Sequence, residues 1–133
     1  MAKFEFSKKT VTLEICNKTY TVVDDNILDK KLFDFGVKVQ EKVSDIDLNS
    51  NDYDYYVKVS KSLCDEFYDL LDSMLGNNAS KEIFKDRMYD IEDCFSLSNF
   101  IREELNNQRA KRMNKYSNSR IQRDQVKNFK KRR

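Results

Sequence analysis

The stretch TVTLEICNKTYTVVDDNILDKKLFDF, Thr10 to Phe35, contains the change of period on which the fold turns. In its first half Val11, Leu13 and Ile15 alternate with Thr10, Thr12 and Glu14, and Tyr20 and Val22 continue the alternation. A period of two marks strands with one face buried. A two-residue turn at Asn17 and Lys18 sets Ile15 opposite Tyr20 and Leu13 opposite Val22, with every apolar residue on one face. Lys18 suits the positive φ of such a turn poorly, so a longer loop is the alternative. Phe4 and Phe6 also alternate with polar neighbours, which leaves open a three-stranded meander in place of a hairpin.

Beyond Val23 the period lengthens. Asp24, Asp25, Asn26 and Asp29 offer helix caps and first-turn acids. Leu28, Leu32, Phe35, Val39, Val43 and Ile46 then recur in steps of three and four, the stripe of an amphipathic helix. Gly36 interrupts it and points to close packing. After the polar DLNSNDYD, a second helix starts near Asp52 or Asp54. It carries Tyr56, Leu63, Phe67, Leu70, Leu71 and Met74 to a stop at Gly76. Ser80 is a candidate cap for a short turn with Ile83 and Phe84. A last helix from about Asp90 puts Ile91, Cys94, Phe95, Ser98, Ile101 and Leu105 on one face. The expected fold is α+β and mainly helical: an N-terminal β-hairpin packed on a small bundle of about three amphipathic helices, since isolated stripes must find one another. Residues 1–113 form the single domain (1–23 the hairpin segment, 24–113 the helical body), and 114–133 a flexible basic tail.

Charge is segregated along the chain. Of 25 basic and 23 acidic residues, 11 bases and one acid lie from Arg109 onward, leaving 14 bases and 22 acids before it. The body is therefore acidic and the end strongly basic. Such an end suits nucleic acid, an anionic membrane or an acidic protein. The body's charge opposes nucleic acid, and no helix-turn-helix or RNA-recognition motif accompanies the tail. The tail lacks the bulky apolar residues of a membrane-inserting helix. A protein-docking arm is the reading that survives, with disorder in a purely solubilising role as its rival.

Familiar catalytic chemistry finds little support. The chain has no histidine, which removes Ser-His and Cys-His pairs, and its three cysteines are too far apart for the usual zinc patterns. Cys16, Cys64 and Cys94 are odd in number and widely spaced, as expected of a reducing cytosol, and no secretory signal or membrane span is expected. With only Gly36 and Gly76, no phosphate-binding loop can form. Asp65, Asp69 and Asp72 share one side of the second helix. Catalytic carboxylates need distinct environments, so this row reads as a solvated or docking face. No enzyme activity, cofactor or metal is expected.

Three segments in fixed order carry a resemblance: LEICNKTYTV, KEIFKDR and SNFIREELNNQRAKRMNKYSNSRIQR. Together they resemble the tail assembly chaperones of long-tailed bacteriophages that infect Gram-positive bacteria, in which a short strand segment precedes a small helical body. An Ile-Phe-x-x-Arg-like element of that family is matched by Ile83, Phe84 and Arg87. A Lys-Tyr-Ser-x-x-Arg-x-x-Arg-like element is matched by Lys115, Tyr116, Ser117, Arg120 and Arg123. The resemblance implies a non-enzymatic role in the host cytoplasm: binding the aggregation-prone tape-measure protein before tail-tube subunits polymerise around it. It also implies that a frameshifted, longer product can exist. Under this expectation Ile83, Phe84, Arg87, Tyr116, Arg120 and Arg123 are candidate contacts to the tape-measure or tail-tube protein, although Ile83 and Phe84 are equally consistent with core. Asp65, Asp69 and Asp72 are candidate contacts between copies in a homo-oligomer, pairing with the basic arm. Two other classes stand beside this one: a virion structural or head–tail adaptor protein, and a nucleic-acid-binding accessory protein.

Overall fold

The computed structural model describes the backbone of residues 2–131 and the side chains of residues 2–116. Two antiparallel strands, β1 (Thr10–Ile15) and β2 (Lys18–Val23), precede the helices α1 (Asn26–Ser44), α2 (Tyr53–Leu75), α3 (Ala79–Phe84) and α4 (Ile91–Lys131). A 3₁₀ turn, Lys85–Arg87, follows α3. The chain is mainly helical α+β, with a two-stranded sheet; residues 2–9 add no third strand.

The hairpin pairs Ile15 with Lys18, Leu13 with Tyr20 and Val11 with Val22. The turn is therefore Cys16–Asn17, one residue earlier than the Asn17–Lys18 turn expected. Cys16 and Asn17 have φ of 51° and 66°, as a type I′ turn requires. Asn tolerates this conformation, and the turn spares Lys18 from it. The two registers differ by two residues, so both keep the apolar side chains on one face. Val11, Leu13, Ile15, Tyr20 and Val22 are all buried there.

Against that face lie Phe67, Tyr68, Leu70 and Leu71 of α2, Phe84 of α3 and Cys94, Ile101 and Leu105 of α4, all in one core. Caps fix the helix starts. Asp25 accepts from the Leu28 amide at 3.0 Å and Asp52 from Asp54 at 3.0 Å. Asp90 accepts from the amides of Glu92 and Asp93. Each satisfies an otherwise orphaned donor. Gly76, at φ 121°, closes α2, a backbone conformation that side chains disfavour.

Three details depart from expectation. Asn78, not Ser80, is the N-cap of α3; Ser80 is buried within the helix, and its amide donates to Asp72 Oδ1 at 2.9 Å. Gly36 marks no close approach, since a Cβ there would meet nothing within 4 Å. Helix α1 contributes only Leu28 to the buried core, with Leu32 and Phe35 partly covered and Val43 exposed. Helix α4 runs from Ile91 to Lys131.

Candidate functional site

Two contacts fasten α4 to the hairpin, and the sequence announced neither. Alternate residues of β1 turn their backbone groups away from β2. At Thr12 those groups meet the Gln108 amide: Thr12 N–H donates to Gln108 Oε1 at 3.0 Å, and Gln108 Nε2 donates to the Thr12 carbonyl at 2.7 Å. A glutamine side chain thus takes the place of a neighbouring strand at one point of an exposed edge. One helical position further on, Arg109 donates to both oxygens of Asp24, at 2.7–3.2 Å, and to Asp29 at 2.8 Å. Arg112 also pairs with Asp24. These hydrogen bonds, led by Arg109, hold the Asp24 carboxyl below its usual range, against the opposing effect of burial. The basic stretch that begins at Arg109 is therefore body at its start: two of its arginines fasten α4 to the junction of β2 and α1.

Between the outer face of the hairpin and α4 lies an open groove of about 590 Å³, lined by Thr12, Glu14, Cys16, Asn17, Thr19, Phe100 and Glu104. Its lining combines hydroxyls, an amide, one aromatic ring and two carboxylates. The Cys16 thiol is exposed there.

The residues singled out in the sequence fall into separate places. Phe84 is only 4% exposed and stacks against Phe67 and Tyr68. Ile83 packs, partly buried, on the same core. Of the two readings the sequence leaves open for Phe84, core and client contact, the structure favours core, because the ring is packed within the domain. Arg87 lies at the surface but forms a two-pronged pair with Asp93, at 2.6 and 2.9 Å. Tyr116 is exposed, whereas the side chains of Arg120 and Arg123 lie outside the described residues. The acidic row on α2 is not a uniform solvated face. Asp65 and Asp69 are exposed, with Asp65 close enough to Tyr89 to raise the pKa of its hydroxyl, and Asp72 accepts from the Ser80 amide.

Cys64 and Cys94 meet in the core, Sγ to Sγ at 3.3 Å, with the Cys94 thiol 3.7 Å from the Tyr68 hydroxyl. Burial pushes Cys64 up to about 12 and raises Cys94 and Tyr68 as well. A thiol held protonated is a poor nucleophile, so this pair is packing. The Tyr68 hydroxyl also accepts from the Tyr89 amide at 2.6 Å, fixing the loop before α4. Among the described residues no group of three or more metal-ligating side chains comes together, and no helix is long and apolar enough to cross a membrane.

Much of the large apolar surface lies outside this core. Phe33 is 71% exposed, Val37 stands one turn further along α1, and Phe4, Phe6, Ile27, Leu48 and Phe95 are also exposed. Period assigns Phe95 to the buried stripe of α4, whereas the structure leaves it exposed.

No curated protein and no solved structure matches the chain significantly. A family model does match, over residues 14–128, from the first strand to near the end of α4. The chain belongs to that family, DUF6673, a family of unknown function.

Proposed function

We propose that the chain is a tail assembly chaperone that binds a phage tape-measure protein and keeps it soluble until the tail tube forms around it. The reading rests on the sequence resemblance. The observation that supports it best is the apolar surface left over after the core is complete, with Phe33 and Val37 side by side on α1. Contiguous exposed apolar surface is a usual mark of protein interaction. A holdase needs such surface, because binding the unassembled client by mass action withdraws it from aggregation. Since Phe84 is core, the client-binding role moves from the α3 segment to the outer face of α1. Acting as chaperone requires no catalytic group, cofactor or metal.

Affinity capture tests the proposal. A tagged chain co-expressed with a tape-measure protein encoded near it should retain that protein on the resin, and Phe33→Ser with Val37→Ser should reduce its recovery severalfold. Mass spectrometry of mature particles addresses the structural-protein alternative: a chaperone is absent from them, whereas an adaptor is present in fixed stoichiometry.

A further inference from the structure

We infer that the groove between the hairpin and α4 is a docking site for the basic C-terminal segment of a second copy of this chain. The inference concerns the isolated protein and holds whether or not it serves a tape-measure client.

Several acids already have partners within the chain. Asp24 and Asp29 are neutralised by Arg109 and Arg112, Glu82 by Lys18, Asp93 by Arg87 and Glu66 by Lys42. Asp72 is committed to the Ser80 amide. Glu14 has no ion pair among the described residues, and Glu104 accepts only from the Gln108 amide, at 3.2 Å. Both acidic residues line the same groove, Glu14 from β1 and Glu104 from α4. Phe100, partly exposed, lines it too, and Thr12, Thr19 and Asn17 add hydroxyl and amide groups. Carboxylates and an aromatic ring in one groove suit a Lys or Arg side chain: the charge meets the acids while the alkyl stem or guanidinium plane lies on the ring.

The chain itself supplies that chemistry. After Arg112 come eight further basic residues and one acid, Asp124, in the last 21 positions. No other segment of comparable length holds so much positive charge. Because the groove and the basic segment are different surfaces, the contact is heterologous and one copy can engage the next. It also replaces the acidic row of α2 as the expected seat of the arm, since Asp72 of that row is already committed to the Ser80 amide.

Sedimentation velocity on the full chain tests this. At low salt, association should rise with protein concentration and should weaken steeply in 0.5 M salt. The paired variant Glu14→Gln with Glu104→Gln should weaken it roughly five- to tenfold, as expected for losing two exposed charge contacts. Asp65→Asn with Asp69→Asn should leave it unchanged, and unaltered thermal unfolding should accompany both variants. A fluorescent peptide spanning residues 113–133 should bind the wild-type chain and bind the groove variant more weakly. A chain that stays monomeric at every concentration and does not bind the peptide overturns the inference. So does association that survives the groove substitutions but is lost on substituting the α2 row.

Discussion

Asp24 lies at the joint between sheet and helices, its carboxylate nearly buried and answered by two arginines. Removing one member of such a cluster strands the opposite charge. Because both arginines are about one-third exposed, solvent screens part of that cost. Asp24→Asn should lower stability by about 2 kcal/mol at pH 7, read by urea denaturation. Since the folded carboxyl titrates below its unfolded value, the stabilisation is complete above about pH 4 to 5. It fades as pH falls through the folded value, so wild type and Asp24→Asn should converge once the folded carboxyl is protonated. The thiols give a second residue-scale test. A water-soluble aromatic disulfide reagent should titrate one cysteine rapidly in the native chain, Cys16, and all three in denaturant. Three fast thiols would contradict the packed pair at Cys64 and Cys94. None of these partnerships was legible in the sequence, because Asp24 and Arg109 are 85 positions apart and charge alone does not name partners.

At the scale of elements, period was the reliable guide and its limits were physical. Alternation located both strands, but a register shift of two residues leaves the same side chains inside, so only backbone φ at Cys16 and Asn17 settles the turn. Caps and the Gly76 stop were legible because they are local chemistry. Phe84 was ambiguous, since a six-residue helix makes too few turns to define a face. In α4 the stripe held at Cys94, Ile101 and Leu105 but failed at Phe95, which lies where no element covers the helix. Gly36 offers a direct check. It sits in a helix interior with open space where a Cβ would be. Gly36→Ala should therefore raise stability by about 0.5 to 1 kcal/mol. A loss in thermal unfolding would mean that α1 packs more closely there than the structure shows. A separate check concerns the edge of β1: Gln108→Leu removes both hydrogen bonds to Thr12 and should cost about 1 to 2 kcal/mol. It should also accelerate hydrogen exchange at the Thr12 amide.

On the scale of the whole molecule, the chain has an acidic body, a basic end and more exposed apolar surface than its core can use. The segregation of charge was plain in the sequence, but the groove was not. Its lining comes from two strands, their turn and a helix some eighty residues later, which only the tertiary fold brings together. The exposed face of α1 likewise emerged from what the core omits, since a periodic stripe does not say whether anything will cover it. Under the proposed role, these surfaces would serve a carrier for an aggregation-prone partner. The most direct measurement of the proposed role partitions a tape-measure protein, where one is encoded beside this chain, between soluble and insoluble fractions, expressed with and without the chain. The account predicts a client that is insoluble alone and soluble with the chain, eluting with it in a complex of several copies per client. A client equally insoluble in both cases, with this chain eluting by itself, would contradict the account.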